Sequence, residues 1–483
     1  MNRFSEPQRL NGLTMLLGPV KTIQGWLFPI VVALFLGRGD GRAFGSVGII
    51  AFIVVVSVAR QALELLRLRW WVADGSFELR SGILQVETRS VPLGRIQNVD
   101  LLEPLLPRAL GLAEVKIETA GGSGTDLVLR YIARTDAVEL REVLATRTPE
   151  AQDEPASNLL FTAPTSELLV AGATGNQIGA LIALAGVLWG WSIDLGFDIG
   201  DVIEDAGDVV LGIGPVLVIG AVLVVMILVG WVVSIAGTLL RYHGFVLSEY
   251  GVDLRREHGL LTRSSGVIPI NRVQAVRIER PLMRRFVHRA TIMADTAGSV
   301  TASADTGSGV VAPIIRDAAL DPVVERVLGL EGPFEDQLRS VSPLAVRRMF
   351  IGASLDVVIT FGLLAIWRPL FAAAIPIGLV LSYLWAKAAY RAIGYRIDDE
   401  LIVARSGVLT RRTWLVPVGK AQSTVVRSNP FQRRLGLATL SIDTAGPGSK
   451  EVVIIDLERA TAEAIAIELS HRSAAFGLVS DGV

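Results

Sequence analysis

The chain has 483 residues, a formal net charge of −1 and an apolar fraction of 51%. Its mean hydropathy of +0.50 is too high for an ordinary soluble protein, and its length is enough for several structural units. The near-zero net charge excludes a globally basic nucleic-acid binder, and the absence of cysteine excludes disulfides, thiolate metal sites and a thiol nucleophile. No cleavable signal peptide is expected, because the first apolar run lacks a small-residue cleavage pattern.

Apolar runs follow one another in three pairs along the chain. The pairs are Trp26–Gly37 with Phe44–Ala59, Gln177–Ile193 with Val209–Leu240, and Met349–Trp367 with Pro369–Ala386. A helix needs about 20 apolar residues to cross the hydrocarbon core of a bilayer. We therefore predict six transmembrane helices arranged as three hairpins. The run Trp26–Gly37 is short for a span and is also compatible with a buried core helix, so it stays open whether the first hairpin fully spans.

The distribution of arginine and lysine around the hairpins predicts their orientation. Basic residues follow every hairpin, namely Arg60, Arg67 and Arg69, then Arg241, then Lys387 and Arg391. The loop of the second hairpin is acidic between Asp194 and Asp208 and contains no basic residue, whereas the first loop is an exception with Arg38 and Arg42. Because cytoplasmic loops carry the excess of arginine and lysine, the termini and the segments between hairpins are expected on the cytoplasmic side.

A polar segment with the same spacing of key residues follows each hairpin. The recurring residues are Gly82, Pro92, Gln97 and Thr119, then Gly259, Pro269, Gln274 and Thr296, then Gly407, Pro417, Gln422 and Thr444. In every copy the glycine-to-proline spacing is 10, the proline-to-glutamine spacing 5 and the proline-to-threonine spacing 27. Three gap-free matches indicate one structural unit present three times, which we name the first, second and third copy.

Within each copy the hydrophobic pattern has a period of two. The segment Ala113–Thr119 alternates small or apolar residues with polar ones, which indicates a strand with Val115 and Ile117 on its inner face. A helical stretch ends each copy, at Thr135–Thr146, Asp317–Leu328 and Leu457–His471. This order predicts a small β-barrel or two packed sheets closed by a C-terminal helix, and hence an α+β membrane protein.

Short motifs in the copies carry a resemblance to a known family. They are GIL, GLL and GVL at positions 82, 259 and 407, PLGRIQ, PINRVQ and PVGKAQ from Pro92, Pro269 and Pro417, and LGLAEVKIETAG and LGLATLSIDTAG from Leu110 and Leu435. With these motifs the chain resembles the bacterial pleckstrin-homology (bPH, YdbS/YdbT-like) membrane protein family, as a long member with three domains. The resemblance covers nearly the whole chain. It implies a PH-like barrel or sandwich with a C-terminal helix in each copy, used for binding, and a role in envelope stress or antimicrobial resistance.

The hairpins and the copies together predict seven segments. They are an N-terminal segment with the first hairpin (1–62), the first PH-like domain (63–150), a linker with the second hairpin (151–240), the second PH-like domain (241–331), a linker with the third hairpin (332–388), the third PH-like domain (389–473) and a tail (474–483). The second copy departs most from the shared pattern, because it has Val287, His288 and Arg289 where the others have Leu-Gly-Leu. We interpret it as the copy that has drifted or specialised.

Basic residues are the candidate contacts with lipid or with a partner. They are Arg95, Arg272 and Lys420, each three residues after a repeated proline, and the clusters Arg284 with Arg285 and Arg433 with Arg434. The first three either meet lipid phosphates or a partner's carboxylates, or they fix a strand end or pair with a nearby acid. The clusters either bind anionic lipid, face solvent, or dock one copy on another.

Asp356 is the candidate polar residue within the membrane. A carboxylate in an apolar span is costly, so it is expected to face the bundle interior, a water-filled cavity or a partner, with Thr360 on the same helix face. The alternative is a position near the interface, paired with Arg347 or Arg348.

No catalytic, cofactor or metal site is expected. The four histidines lack zinc-ligand spacing, and the chain has neither a phosphate-binding loop nor a nucleophile elbow. We therefore expect a non-enzymatic scaffold or binding protein, without cofactor, that is multi-pass in the bacterial cytoplasmic membrane, with its termini and PH-like domains in the cytoplasm. The alternative is a transporter or exporter of a toxic peptide or lipid through the six-helix bundle, and an enzyme acting on membrane lipid has the least support. Expected partners are the membrane lipid bilayer, the other copies of the same chain, and a shorter family member or a second identical chain, with no nucleic acid.

Overall fold

The computed structural model of the chain describes residues 3–10, 43–82, 86–119, 127–145, 158–175, 214–296, 309–444 and 451–480. The predicted runs Trp26–Gly37 and Gln177–Ile193 and the loops of the first two hairpins lie outside these residues. The chain divides into two compact units. The first comprises Met1–Ala120, Thr125–Gly251 and Arg255–Val267, and the second comprises Gly121–Gly124, Val252–Leu254 and Ile268–Val483.

In each copy, three strands precede the repeated proline and three follow it, which we name the leading and the trailing strands. Up to the repeated proline of the second copy, the elements in chain order are β1 (Gln8–Arg9), α1 (Ala43–Arg67), β2 (Arg69–Ala73), β3 (Ser76–Ser81), β4 (Glu87–Pro92), β5 (Ile96–Pro104), α2 (Leu105–Ala109), β6 (Leu112–Thr119), β7 (Leu127–Ala133), α3 (Arg134–Ala145), β8 (Leu159–Ala163), α4 (Thr165–Ala173), α5 (Gly214–Tyr242), β9 (Phe245–Tyr250), β10 (Asp253–His258) and β11 (Thr262–Ile268). The leading strands β2, β3 and β4 of the first copy form a sheet with β1, in the order β1-β2-β3-β4. Its trailing strands join a seven-stranded sheet of order β7-β6-β5-β11-β10-β9-β8.

The core of the first copy forms where the apolar sides of its strands meet. Trp70 and Phe77 from the leading strands lie in one buried cluster with Val115 and Ile117 from β6 and Leu140 from α3. Alternate residues of a strand point to opposite faces, so the period-two pattern brings these side chains to the same side. The predicted inward positions Val115 and Ile117 are therefore confirmed.

The second unit contains the trailing strands of the second copy and the whole third copy. Its elements are β12 (Val273–Pro281), α6 (Leu282–Phe286), β13 (Arg289–Thr296), β14 (Val310–Arg316), α7 (Leu320–Leu328), α8 (Leu344–Trp367), α9 (Ala374–Ala392), β15 (Gly394–Ile397), β16 (Leu401–Ser406), β17 (Thr410–Pro417), β18 (Ala421–Arg427), α10 (Pro430–Arg434), β19 (Leu437–Thr444), β20 (Val452–Glu458) and α11 (Arg459–Ser480). The sheet orders are β14-β13-β12-β17-β16-β15 and β18-β19-β20. The helices α3, α7 and α11 end the three copies close to the predicted positions.

The repeated glycines are explained by backbone conformation. Gly259 and Gly407 have φ angles of 111° and 98°, and a Cβ at either position would collide with the carbonyl oxygen of Thr262 or Thr410. A second left-handed position is occupied by Gly111 and Gly436 in the outer copies and by His288, with φ of 52°, in the second copy. The second copy therefore keeps the same turn although it lacks the glycine.

Three helical segments of the described residues are long and apolar enough to cross a membrane, namely Val224–Tyr242, Leu344–Trp367 and Pro369–Ala392. They correspond to the second helix of the second hairpin and to both helices of the third. The prediction of six spans is supported for these three. Of the remaining runs, Phe44–Ala59 forms part of α1, and the other two lie outside the described residues.

Candidate functional site: the junctions between copies

The first junction pairs a trailing strand of the first copy with a leading strand of the second. Strand β11 runs antiparallel to β5, with Thr262 opposite Pro104 and Ser265 opposite Leu101. Gly266 lies against the carboxylate of the buried Asp100, with the guanidinium of the buried Arg256 beside it, and a Cβ at position 266 would displace that carboxylate. The carboxylate of Asp100 therefore occupies the space that a side chain at position 266 would fill.

Polar contacts from α3 support the same junction. Arg141 donates from Nη1 to the Ser265 hydroxyl at 3.3 Å, and Arg134 forms an ion pair of 2.8 Å with the buried carboxylate of Glu103. Burial lowers the pKa of Arg141, and the charge of Arg255 lowers it further. The C-terminal helix of the first copy thus contacts both strands of the junction.

The second junction repeats the first with other residues. Strand β17 runs antiparallel to β12, with Thr410 opposite Pro281 and Leu415 opposite Val276. Thr262 and Thr410 each lie seven residues before their repeated proline, and Pro104 and Pro281 each lie twelve residues after theirs. The two junctions therefore use equivalent strands in the same register.

Charged and aromatic side chains stabilise the second junction on one face of the sheet. Arg412 forms an ion pair of 3.1 Å with Glu279, the residue opposite to it. The guanidinium of Arg277 lies 5.0 Å from the ring centre of Trp414, its own opposite residue, in a cation–π contact. Each of these contacts joins the second copy to the third.

On the other face, the carboxylate of Glu335 compensates a cluster of arginines. Arg280 and Arg411 lie opposite each other across the two strands, an arrangement of like charges that destabilises a sheet unless an acid is near. Glu335, from the linker before α8, pairs with Arg280 and accepts a hydrogen bond of 2.6 Å from the Thr413 hydroxyl. Burial lowers the pKa of Arg405 and Arg411, and the positive charges of neighbouring arginines lower it further. The linker acid is therefore a part of the junction that the sequence motifs did not indicate.

Protein contacts occupy the basic cluster of the second copy, and one of them reaches the next copy. Arg284 is buried, and its Nη1 donates to the Thr291 hydroxyl and to the Pro313 carbonyl oxygen. Arg285 donates from Nη2 to the carbonyl oxygen of Val408, in the third copy. Arg284 therefore fastens α6 to its own sheet, whereas Arg285 belongs to the second junction.

The residues three positions after the repeated prolines have different environments. Lys420 donates from Nζ to the Asn271 carbonyl oxygen at 2.9 Å, which links the third copy to the second. Arg272 is half-buried at the end of a 3₁₀ turn, and its charge is close enough to Asp253 to oppose the rise in the pKa of that carboxyl caused by burial. Arg95 is exposed. Spacing alone thus did not distinguish a copy-to-copy contact from an exposed cation.

The exposed members of the predicted set are accompanied by exposed apolar side chains. Arg433 and Arg434 are exposed in α10, next to the half-exposed ring of Phe431. The matching short helices expose Leu105 and Leu106 in the first copy and, in the second, Leu282, Met283 and Phe286. Exposed cations beside exposed apolar groups are suited to the interface of a bilayer with anionic lipid.

Asp356 lies near the middle of α8, about 17 Å from either helix end at 1.5 Å per residue. It lines a groove of about 760 Å³ between α8 and α9, together with Phe361, Ser382 and Trp385. The helices approach closely there, because a Cβ at Gly378 would touch the side chain of Val357. Arg348, one of the two arginines considered as an interfacial partner of Asp356, forms an ion pair with a different acid.

That acid is Asp456, which is fully buried and which sequence reasoning missed. Its carboxylate lies 2.7 Å from Nε of Arg348 in α8 and accepts a hydrogen bond of 2.8 Å from Nε2 of Gln432 in α10. Asp456 also has a φ of 62°, and Ser342 donates to its backbone carbonyl. The network connects the third copy directly to a membrane helix. An acid within the apolar run 452–457 of this strand was the available signal.

A buried histidine lies where α5 meets the second copy. The Nδ1 atom of His258 is 2.9 Å from the Arg241 carbonyl oxygen, and its ring stacks on Phe245. Burial, together with the charge of Arg256, lowers the pKa of His258 to about 4. Within the described residues, no group of three or more His, Cys, Asp or Glu side chains could hold a metal ion.

Comparison with known proteins agrees with this organisation. The family described as Bacterial PH domain matches residues 26–148, 208–327 and 350–473. The UPF0699 transmembrane protein YdbT of Bacillus subtilis (strain 168) is 22% identical over 484 residues, which cover 94% of this chain and 95% of that protein. No solved structure matches the chain. The transmembrane relative and the three apolar helices indicate a membrane protein. Since the family matches all three copies and most of the chain, the protein belongs to the bacterial PH domain family.

Proposed function

We propose that the protein is a non-catalytic scaffold of the bacterial cytoplasmic membrane, which presents three PH-like copies in the cytoplasm to lipid and protein partners. The observation that carries this proposal is the pairing of equivalent strands in the same register at both junctions. Paired edges place successive copies in a fixed order, as expected of a binding platform. The network of Arg348, Asp456 and Gln432 supports anchorage of that platform to the membrane helices.

An exporter is the second candidate, and Asp356 favours it. An ionisable residue in the middle of a span, lining a groove with Ser382, is the kind of group found on transport pathways. The two functions place the essential residues differently. The scaffold requires an intact second junction, whereas the exporter requires the groove.

Two substitutions separate the candidates. Glu335→Lys should open the second junction, because it replaces the acid that compensates Arg280 and Arg411. Glu331→Lys, at an exposed position of the same linker, is the matched control. Asp356→Leu removes the polar residue of the groove. Each full-length variant is expressed in a deletion strain, and growth is measured with membrane-active antimicrobial peptides and with envelope stress.

If the scaffold is correct, Glu335→Lys loses complementation and the partners that co-purify with the wild type in native lipid, whereas Asp356→Leu and Glu331→Lys keep both. Loss of complementation by Asp356→Leu alone would instead assign the exporter. Orientation is tested with single cysteines in this Cys-free chain. Cysteines replacing the exposed Arg263 and Glu458 should resist an impermeant thiol reagent in intact cells, whereas one replacing Gly200 should react.

A further inference from the structure

Among the described residues, two strands lie at a sheet edge, whereas the equivalent strands of the other copies are paired with a neighbouring copy. At both junctions, the first trailing strand of one copy pairs with the last leading strand of the next copy. In the first copy the last leading strand is β4, and in the third copy the first trailing strand is β18. Each of these lies at the edge of its sheet in the part of the chain that the structure describes. The described residues thus include one open edge of each kind.

Burial distinguishes the open edges from the paired ones. Thr88 in β4 is exposed, whereas its counterparts Ser265 and Thr413 are buried in the two junctions. Gln422 in β18 is exposed, whereas its counterpart Gln274 in β12 is buried. The position of Thr88, which a neighbouring copy covers at both junctions, is therefore open on β4, and the position of Gln422, which is buried in β12, is open on β18.

The shared register identifies which residues would meet if β4 paired with β18. At the second junction, Arg412 lies five residues before its repeated proline and pairs with Glu279, ten residues after its own. The corresponding residues are Glu87 in β4 and Arg427 in β18. Both are exposed, and each has only a weakly held, exposed partner in its own copy, Arg89 or Glu451. The open edges thus carry a complementary pair of charges, with the signs of the second junction exchanged.

Two exposed cations are the counterparts of residues that bind the neighbouring copy. Arg433 matches Arg285, which donates to the Val408 carbonyl oxygen, and Arg95 matches Lys420, which donates to the Asn271 carbonyl oxygen. Both Arg433 and Arg95 are exposed. Both would donate in the same way to a further copy paired at the adjacent edge.

We propose that two identical chains associate head to tail, with β4 of one chain paired antiparallel to β18 of the other in the register of the internal junctions. A second copy of this chain is the occupant because each chain presents both complementary edges. The contact is heterologous, so repetition gives a closed ring or an open row. Natural sheet edges are usually protected by inward charges, proline or bulges. Here the bulge near the start of β18 is also present in the paired strand β12, and thus does not mark a protected edge.

Cysteine cross-linking tests the contact directly, because the chain has no cysteine of its own. A full-length Glu87→Cys chain with one tag is co-expressed with an Arg427→Cys chain that carries another tag, and the membranes are oxidised. A disulfide-linked dimer with both tags is expected, because directly opposite residues of paired strands are within disulfide range. Glu87→Cys with Glu458→Cys, which lies on β20, is the matched control and should not cross-link. A mixed dimer no more abundant than in the control overturns the proposal.

Charge exchange provides the second test. Glu87→Arg and Arg427→Glu should each weaken self-association of the purified chain in lipid nanodiscs about 5- to 10-fold, measured by native mass spectrometry. The double variant should recover it, because every contact then pairs an arginine at position 87 with a glutamate at position 427 of the other chain. Weakening by each single change without recovery in the double variant overturns the register. A wild-type chain that stays monomeric, or that assembles only with a shorter PH-domain protein, overturns the proposed occupant.

Discussion

The short helices α6 and α10 occupy the same position in the second and third copies, but they carry different polar residues with different partners. In the second copy the cation Arg284 lies on the helix and donates to Thr291 and to the backbone of Pro313. In the third copy the neutral Gln432 lies there and donates to Thr439 and to Asp456. The buried charge is thus a cation on the helix in the second copy and an acid on the strand in the third copy.

In the described residues, this difference links α10, but not α6, to the membrane helix α8. Ile314 occupies the position in β14 that corresponds to Asp456 in β20, so the second copy has no acid there. In the third copy, Asp456 binds Arg348 of α8 in addition to Gln432. Two copies with one fold therefore differ in attachment, because a buried acid requires a cation and the nearest one belongs to a membrane helix.

The largest effect is expected from Asp456→Ala. It removes the acid that pairs with Arg348 and one of the two acceptors of Gln432, and breaking a buried ion pair costs about 3–5 kcal/mol. The free energy of unfolding, or the local opening of β20 by hydrogen exchange, should fall by that amount in the full chain. Asp399→Ala, at a 91% exposed acid, should change it by less than about 0.5 kcal/mol. Equal effects of the two substitutions would contradict the attachment through Asp456.

His258 in the second copy corresponds to Ser406 in the third and should make the second copy sensitive to acid. Its pKa is about 4 when folded and 6.5 when exposed, so the unfolded state binds the proton more tightly. The stability contributed by neutral His258 is present above pH 6.5 and is lost as pH falls toward 4, by about 2–3 kcal/mol. In His258→Ser this decline should disappear from the pH dependence of hydrogen exchange in β10. A decline of the same size in the variant would assign the sensitivity to other groups.

Arg284→Gln gives the second copy the helix residue of the third without the acid that binds it. The substitution weakens the contacts with Thr291 and Pro313, and the expected loss is about 1–3 kcal/mol because the Pro313 carbonyl oxygen stays buried. Arg434→Gln is the control at an exposed position and should leave thermal unfolding unchanged. If Arg284→Gln also leaves thermal unfolding unchanged, glutamine at position 284 stabilises the helix as well as arginine does. The difference between the two copies would then have no effect on stability.

The smallest effect on stability is expected from Arg433→Glu. Arg433 is exposed, so the free energy of unfolding should change by no more than about 0.5 kcal/mol. Arg285→Glu at the matching position should cost more, because Arg285 donates to Val408 across the second junction. Thermal unfolding of both full-length variants in one detergent measures the difference. Similar losses would mean that Arg433 has a partner of its own within the chain.

The sequence by itself determined the repeat, the family, the period-two strands and the helix that ends each copy. These features follow from local rules, since strand alternation places Val115 and Ile117 inward and Gly259 is required by a left-handed backbone. The spacing of Gly, Pro and Thr was enough to align the copies, so equivalent elements could be identified before any contact was known.

Only the tertiary structure decided what the equivalent charges bind. Arg285 and Arg433 occupy the same place in their copies, but the first donates to the next copy and the second is exposed. Arg348 was one of two arginines considered as an alternative partner of Asp356, and it binds Asp456, 108 residues away in sequence. The physical reason is that an ion pair depends on which strand or helix lies within about 4 Å, and pairing between distant strands, such as β12 with β17, is not encoded in the spacing of either one.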